Sequence, residues 1–220
     1  MVHSVWVFLH LMLLVYWLGG DLGVFLLARA AKNPELSFAE RAFSLRMAMD
    51  IDLIPRLCFT LMLPIGLHVT DTGGFALIPS WAFLMSWTIS LVWVSLVFCI
   101  HFMQGKPAVT HLNYAHRGLQ IALLVFIGAL GISALIGLGP LPGGWFGTKI
   151  FLFALIFALS IKIDLSVHPI FPAFIKLATE GSLPEIESSI TRAIDEAIRY
   201  VLVLYILLIT ISFIGVTKSF

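Results

Sequence analysis

Inside a lipid bilayer every backbone N–H and C=O must find a partner within the protein, so a single segment that crosses has only the helix open to it. This sequence meets that constraint six times. Apolar runs occupy residues 5–28, 53–70, 81–103, 117–138, 146–165 and 199–217. Each is close to the ~20 residues that carry a helix through the hydrocarbon core. Composition agrees: 60% of residues are hydrophobic and 11% charged, against roughly 45–50% and 25% in a soluble domain. A soluble globular enzyme, a disordered chain and a collagen-like chain are excluded. The expected fold class is an all-α, polytopic membrane helix bundle of six transmembrane helices, forming one domain over residues 1–220. The first run reads as a crossing rather than a signal peptide. It is too long, lacks a basic start and has no small-residue cleavage site before Arg29.

Charge predicts the orientation. If the N-terminal side is called outer, Arg29, Lys32, Arg41, Arg46, Arg56, Lys106, Arg117, Lys162, Lys176, Arg192 and Arg199 fall on the inner side, and only Lys149 and Lys218 on the outer. Basic residues collect on the cytoplasmic side, so both termini are expected outside the cytoplasm, in a bacterial-type inner (plasma) membrane. The net charge of +1 gives no basic surplus for nucleic acid.

Between the runs, 29–50 reads as a polar loop with Pro34 and Ser37 as turn and cap signals. Residues 182–199 read as an amphipathic cytoplasmic helix that continues into the last crossing. Ser182 and Glu185 are spaced as a capping box, with Pro184 in the first turn. Its apolar face would pack on its own protein or the inner interface, or dock a cytoplasmic partner. Ala129, Ser133 and Gly137 form a small-residue stripe suited to close packing, within the bundle or across a homo-oligomer. Trp6, Trp81 and Trp145 fit the outer interfacial belt. Cys58 and Cys99 are expected to be buried, inert thiols.

Ionisable side chains within a crossing are costly and default to functional hypotheses. His10 in the first run and His68 near the end of the second fall in the same, outer half. Two imidazoles from facing helices are what a bis-histidine b-type haem needs. Lys149 would reach a propionate. The same histidines with Met12, Met62 and Met85 would suit Cu(I), and a third reading leaves both histidines structural. His101, His116 and His168 are candidates for a second site on the inner half. Asp21, Trp17 and His10 share one helix face by their spacing, and Asp21 is expected to pair with Arg56 or to line a proton path. Asp21 and Arg56 are thus the candidate catalytic groups. There is no phosphate-binding loop, dinucleotide fingerprint, HExxH or CxxC.

The helix FLHLMLLVYWLGGDLGVFLLAR resembles the opening helix of the copper-resistance protein D group and of the HemJ-type oxygen-independent protoporphyrinogen oxidases. In both a histidine is followed some seven residues later by a Trp and a small-residue pair. The stretch WFGTKIFLFALIFAL resembles their later, lysine-bearing helix. The resemblance implies helices around a haem or metal centre, with His10 and Lys149 at the motif positions. It also implies either haem-dependent porphyrinogen oxidation or copper movement across the membrane. The leading expectation is a membrane b-type haem protein exchanging electrons between a redox partner and quinone. Copper transport and porphyrinogen oxidation are the alternatives.

Overall fold

The computed structural model describes residues 1–218, all helix and short connections. Seven helices follow in order: α1 (Val2–Ala31), α2 (Phe38–Thr72), α3 (Ser80–Phe102), α4 (Ala108–Leu135), α5 (Gly144–Val167), α6 (Ile170–Glu180) and α7 (Pro184–Thr217). Six helical stretches are long and apolar enough to cross a membrane, with α5 and α6 together counting as one. The expected six crossings are therefore present as helices.

The helices outrun the apolar runs. Residues 38–50 form the start of α2 rather than a loop. They are rich in Ala, Glu, Arg, Met and Leu, which favour helix without needing lipid. Ser37 and Glu40 start that helix with a reciprocal capping box. The Glu40 carboxylate accepts from the Ser37 N–H at 2.8 Å and its hydroxyl at 2.7 Å, and the hydroxyl accepts from the Glu40 N–H at 3.4 Å. The box expected at Ser182–Glu185 does not form. Leu183 is the N-cap residue and makes no side-chain cap bond, while the Ser182 hydroxyl donates to Glu187 at 2.7 Å. Helix α4 likewise starts at Ala108, ahead of the run at 117. It ends where Gly137 adopts φ +74°, with Gly137 and Leu138 N–H groups bonded back to the Ala134 and Ser133 carbonyls.

The chain divides into two compact units. Unit 1 comprises residues 1–22 and 51–119: most of α1, the crossing part of α2, all of α3 and the start of α4. Its packing answers a backbone problem. Pro64 lies inside α2 and has no N–H to give the carbonyl of Thr60, four residues earlier. The Ser90 hydroxyl of α3 donates to that carbonyl at 2.7 Å. Both residues are almost fully buried. Ser90→Ala is expected to lower stability by ~1–3 kcal/mol, the cost of a buried acceptor left bare. The check is the shift in unfolding midpoint in detergent. Ser86→Ala is the comparison, since that hydroxyl only serves its own helix, at the Phe83 carbonyl, and the shift should be small.

Unit 2 comprises residues 23–50 and 120–220, of which 219–220 lie outside the described residues. Helix α7 packs along α5 and against α6. Helix α6 is an amphipathic helix of 11 residues. Its Ile170, Ala173, Phe174 and Leu177 join Ile186, Ile190, Ala193 and Ile194 of α7 and Ala31 of α1 in one buried cluster. The apolar face of the amphipathic segment is thus covered by its own protein. Helix α4 approaches α5 through Gly131, where an added Cβ would lie 2.6 Å from the Phe151 nitrogen, and Ala134, which meets Gly147. Within the bundle, the stripe singled out from sequence is not the one packed between α4 and α5: Ala129 and Gly137 are exposed. Cys58 is buried as expected, whereas Cys99 is exposed.

Two ion pairs join segments of unit 2 that are far apart in sequence. Arg41 is 2% exposed, and all three of its guanidinium nitrogens are hydrogen-bonded. Its Nε donates to the Ala31 carbonyl at 2.9 Å, and its two terminal nitrogens bind Glu187 bidentately at 2.8 Å each. Phe174 lies beneath it, with its ring centroid 5.8 Å away. Lys32 pairs with Asp195 alongside. The end of α1, the start of α2 and the start of α7 are locked together there.

Candidate functional site

In unit 1, His68 of α2 and His116 of α4 each sit against aromatic side chains, His68 with Trp6, Phe83 and Trp87 and His116 with Trp93. On α1, spacings of four, seven and four residues bring Trp6, His10, Trp17 and Asp21 to one face. Trp17 and Asp21 are buried, and Trp6 and His10 half-buried, while Val5, Phe8, Leu9, Val15 and Tyr16 point outward. The inward stripe expected from spacing is present.

His10 rests on α2 at Gly66. An added Cβ there would lie 3.5 Å from the imidazole Cε1, an ordinary contact. His68, two residues on, reaches between α1 and α3. Its ring is stacked between Trp6, at 4.0 Å and 7°, and Phe83, at 4.5 Å and 20°. The Trp87 indole N–H donates to His68 Nε2 at 3.1 Å. Indole can only donate, so Nε2 carries the lone pair and the ring proton sits on Nδ1. Trp6 therefore does more than mark the membrane interface. It forms one wall of the His68 environment, and Phe83 and Trp87 complete it. The sequence reading missed these α3 residues, because aromatic side chains are abundant throughout the chain and none stood out.

A second Trp–His pair lies in the same unit. Trp93, 2% exposed, donates to His116 Nδ1 at 3.1 Å. Trp93 also meets Phe59, and Phe59 meets Trp17, each at 5.0 Å between centroids. His101, on α3, makes an edge contact with Phe102. His168 is exposed at the end of α5 and belongs to unit 2, so the three histidines proposed for a second site divide between the units. His3, unremarked from sequence, hydrogen-bonds the Thr72 hydroxyl at 3.1 Å.

Asp21 departs from its expected pairing. Arg56 forms its ion pair with Asp52, one turn earlier on α2. Asp21 is 8% exposed and lies within electrostatic range of both charges. Its Oδ2 has no hydrogen-bond partner among the described residues. Next to it, Gly20 presses on α2, and an added Cβ would lie 2.8 Å from Pro55 Cδ. Of the two adjacent glycines, Gly20 makes the contact and Gly19 faces open space. Lys149 belongs to unit 2. Its Nζ lies 2.6 Å from where a Cβ on Gly215 of α7 would sit. Met62 is buried, Met12 half-buried and Met85 exposed. Among the described residues no three His, Cys, Asp or Glu side chains gather as a metal-holding group.

Comparison of the chain with family models, curated proteins and solved structures finds no match.

Proposed function

We propose that unit 1 is a membrane haem b module, with His10 and His68 as the axial ligands, passing electrons between a redox partner and quinone in the bilayer. One observation carries the reading. Trp6 stacks on His68, and Trp6 and His10 are one turn apart on the same face of α1. The two imidazoles, from α1 and α2, thus border adjacent turns of one helix, about 5.4 Å apart in level.

The donor set fits the group. The Trp87 hydrogen bond holds His68 in the tautomer whose Nε2 lone pair can ligate iron. Ligation requires that indole to move off, which costs a hydrogen bond of about 0.5–1.5 kcal/mol net. That is small beside the roughly 10–16 kcal/mol seen when a structural metal binds its ligands. Trp6 and Phe83 supply flat apolar walls and exclude water. When bound, haem supplies a one-electron couple, and the surrounding hydrogen bonds and burial set its potential. A macrocycle brings its own four nitrogen ligands and needs only two from the protein. The basic residues, eleven against two, support a bacterial-type inner membrane with both termini outside the cytoplasm.

The test is an absorption spectrum of protein purified from haem-replete cells, oxidised and dithionite-reduced, with pyridine-haemochrome quantification. The expected result is a Soret band with sharp reduced α and β bands, lost in His10→Ala and in His68→Ala. Trp87→Phe should keep the bands, because it frees Nε2 and removes no ligand. A colourless protein overturns the reading, and copper bound in its place would establish the transport alternative.

A further inference from the structure

Asp21 is the buried acid that the haem reading leaves unused. It lies inside the apolar run 5–28 and is 8% exposed. There α1 meets the start of the α2 crossing, with Gly20 against Pro55. The Trp17 indole, one turn earlier on α1, offers its N–H to the carboxyl group. The buried Oδ2 has no hydrogen-bond partner among the described residues. Two charged groups of α2 act on Asp21, Asp52 and Arg56, and the Cys58 thiol of the same helix feels its charge in turn. His116 of α4 is set off from Trp17 by the rings of Phe59 and Trp93.

Counting charges decides what the group can be. Arg56 is bound by Asp52 in an ion pair one turn apart on α2. With Asp21 ionised, two carboxylates share one guanidinium and the trio is negative. One proton makes it neutral. A charged carboxylate buried away from its counter-ion is expensive, and taking up a proton removes the cost. A neutral carboxyl also leaves an oxygen bare more cheaply than a charged one does. A metal cation asks for several oxygen ligands, and among the described residues no three His, Cys, Asp or Glu side chains gather. The trio also spans two levels. Asp52 stands just before the apolar run 53–70, and the Asp52 and Arg56 side chains are 29% and 35% exposed. The ion pair thus stands between water and the buried acid. Acids within a crossing commonly mark proton relays.

We propose that Asp21 is a proton-binding site, a carboxylic acid held in the bilayer-crossing part of unit 1, which exchanges its proton with water past the Asp52–Arg56 pair. It is independent of the haem reading, which assigns none of these residues. The test is infrared spectroscopy of the full chain in phosphatidylcholine liposomes, titrated with pH in water and in deuterium oxide. The readout is the C=O stretch of a protonated carboxyl. The expected result is one such band at neutral pH, moved by deuteration and lost in Asp21→Asn. Asp52→Asn removes a negative neighbour and frees Arg56 for Asp21. The band should then give way to carboxylate at a pH lower by about one unit, a tenfold weaker hold on the proton. Arg56→Gln removes the positive neighbour and should move the titration upward instead. A residue that only packs would show neither shift. The thermal midpoint of each variant is the folding check, and if Asp21→Asn does not fold, the opposed shifts of the two α2 variants carry the test. Absence of the band at neutral pH overturns the assignment, as does its survival in folded Asp21→Asn or a titration that both α2 variants leave in place. A band that ignores deuteration overturns the exchange with water. A band replaced by carboxylate when sodium chloride is substituted for choline chloride also overturns the proposal, since the site would then hold a metal cation.

Discussion

Arg41→Met is expected to destabilise the folded chain by ~3–5 kcal/mol, the cost of breaking a buried pair from one side. The guanidinium meets three carbonyl or carboxylate oxygens, and its own side chain is 2% exposed. Methionine fills similar space but leaves Glu187, itself mostly buried at 17% exposure, with only the Ser182 hydroxyl in place of the bidentate pair. It also uncovers the Ala31 carbonyl near the end of α1, where helix carbonyls lack intrahelical donors. Arg41→Lys should recover little, because one ammonium cannot make the bidentate fork and reach Ala31 as well. Changing Arg41 and Glu187 together to methionine should recover much of the loss, since a matched apolar pair leaves no stranded charge. Chemical-denaturation midpoints in detergent for the single and double variants make up the cycle. A near-zero effect of Arg41→Met would show that α1, α2 and α7 are not held together by this contact.

Gly131→Val is expected to be comparably damaging, for a steric reason. A Cβ on Gly131 would fall 2.6 Å from the Phe151 nitrogen, 2.7 Å from its Cα and 2.9 Å from its Cβ. Two of these are backbone atoms of α5, which cannot rotate away, so the helices must separate. Overpacking of this kind costs typically ~1–3 kcal/mol, sometimes more. Close helix approach is also what small residues provide in membranes. Gly118→Ala in the same helix is the opposite case. Nothing lies within 4 Å of its added Cβ, and alanine's helix propensity should raise stability by up to about 1 kcal/mol. Opposite-signed shifts in thermal midpoint are the expected readout.

These predictions rest on contacts that the sequence did not display. The six helices were legible because the pairing that makes a helix is local, and an apolar run of sufficient length declares its crossing without any partner. The capping box at Ser37 and Glu40 was half read: Ser37 as a cap, but with the helix start placed too late. Polar helix formers in 38–50 do not show where a helix begins when apolarity is the only guide. The α1 stripe of His10, Trp17 and Asp21 was legible, since Trp17 and Asp21 are conspicuous polar or aromatic marks on a single helix.

What the sequence by itself determined is therefore the helical, membrane-crossing class and the polar residues that must turn inward. Tertiary structure alone decided which residues meet. Arg41 and Glu187 lie 146 positions apart, and nothing local links them. Trp87 selects the His68 tautomer from another helix. Gly131, rather than the Ala129–Ser133–Gly137 stripe, carries the close approach of α4 to α5. The reason is physical. In water, a helix shows its packed face by being apolar there and polar elsewhere. In lipid, the tails are as apolar as leucine, so both faces of a crossing look alike in sequence, and only the packed structure distinguishes the face that meets protein.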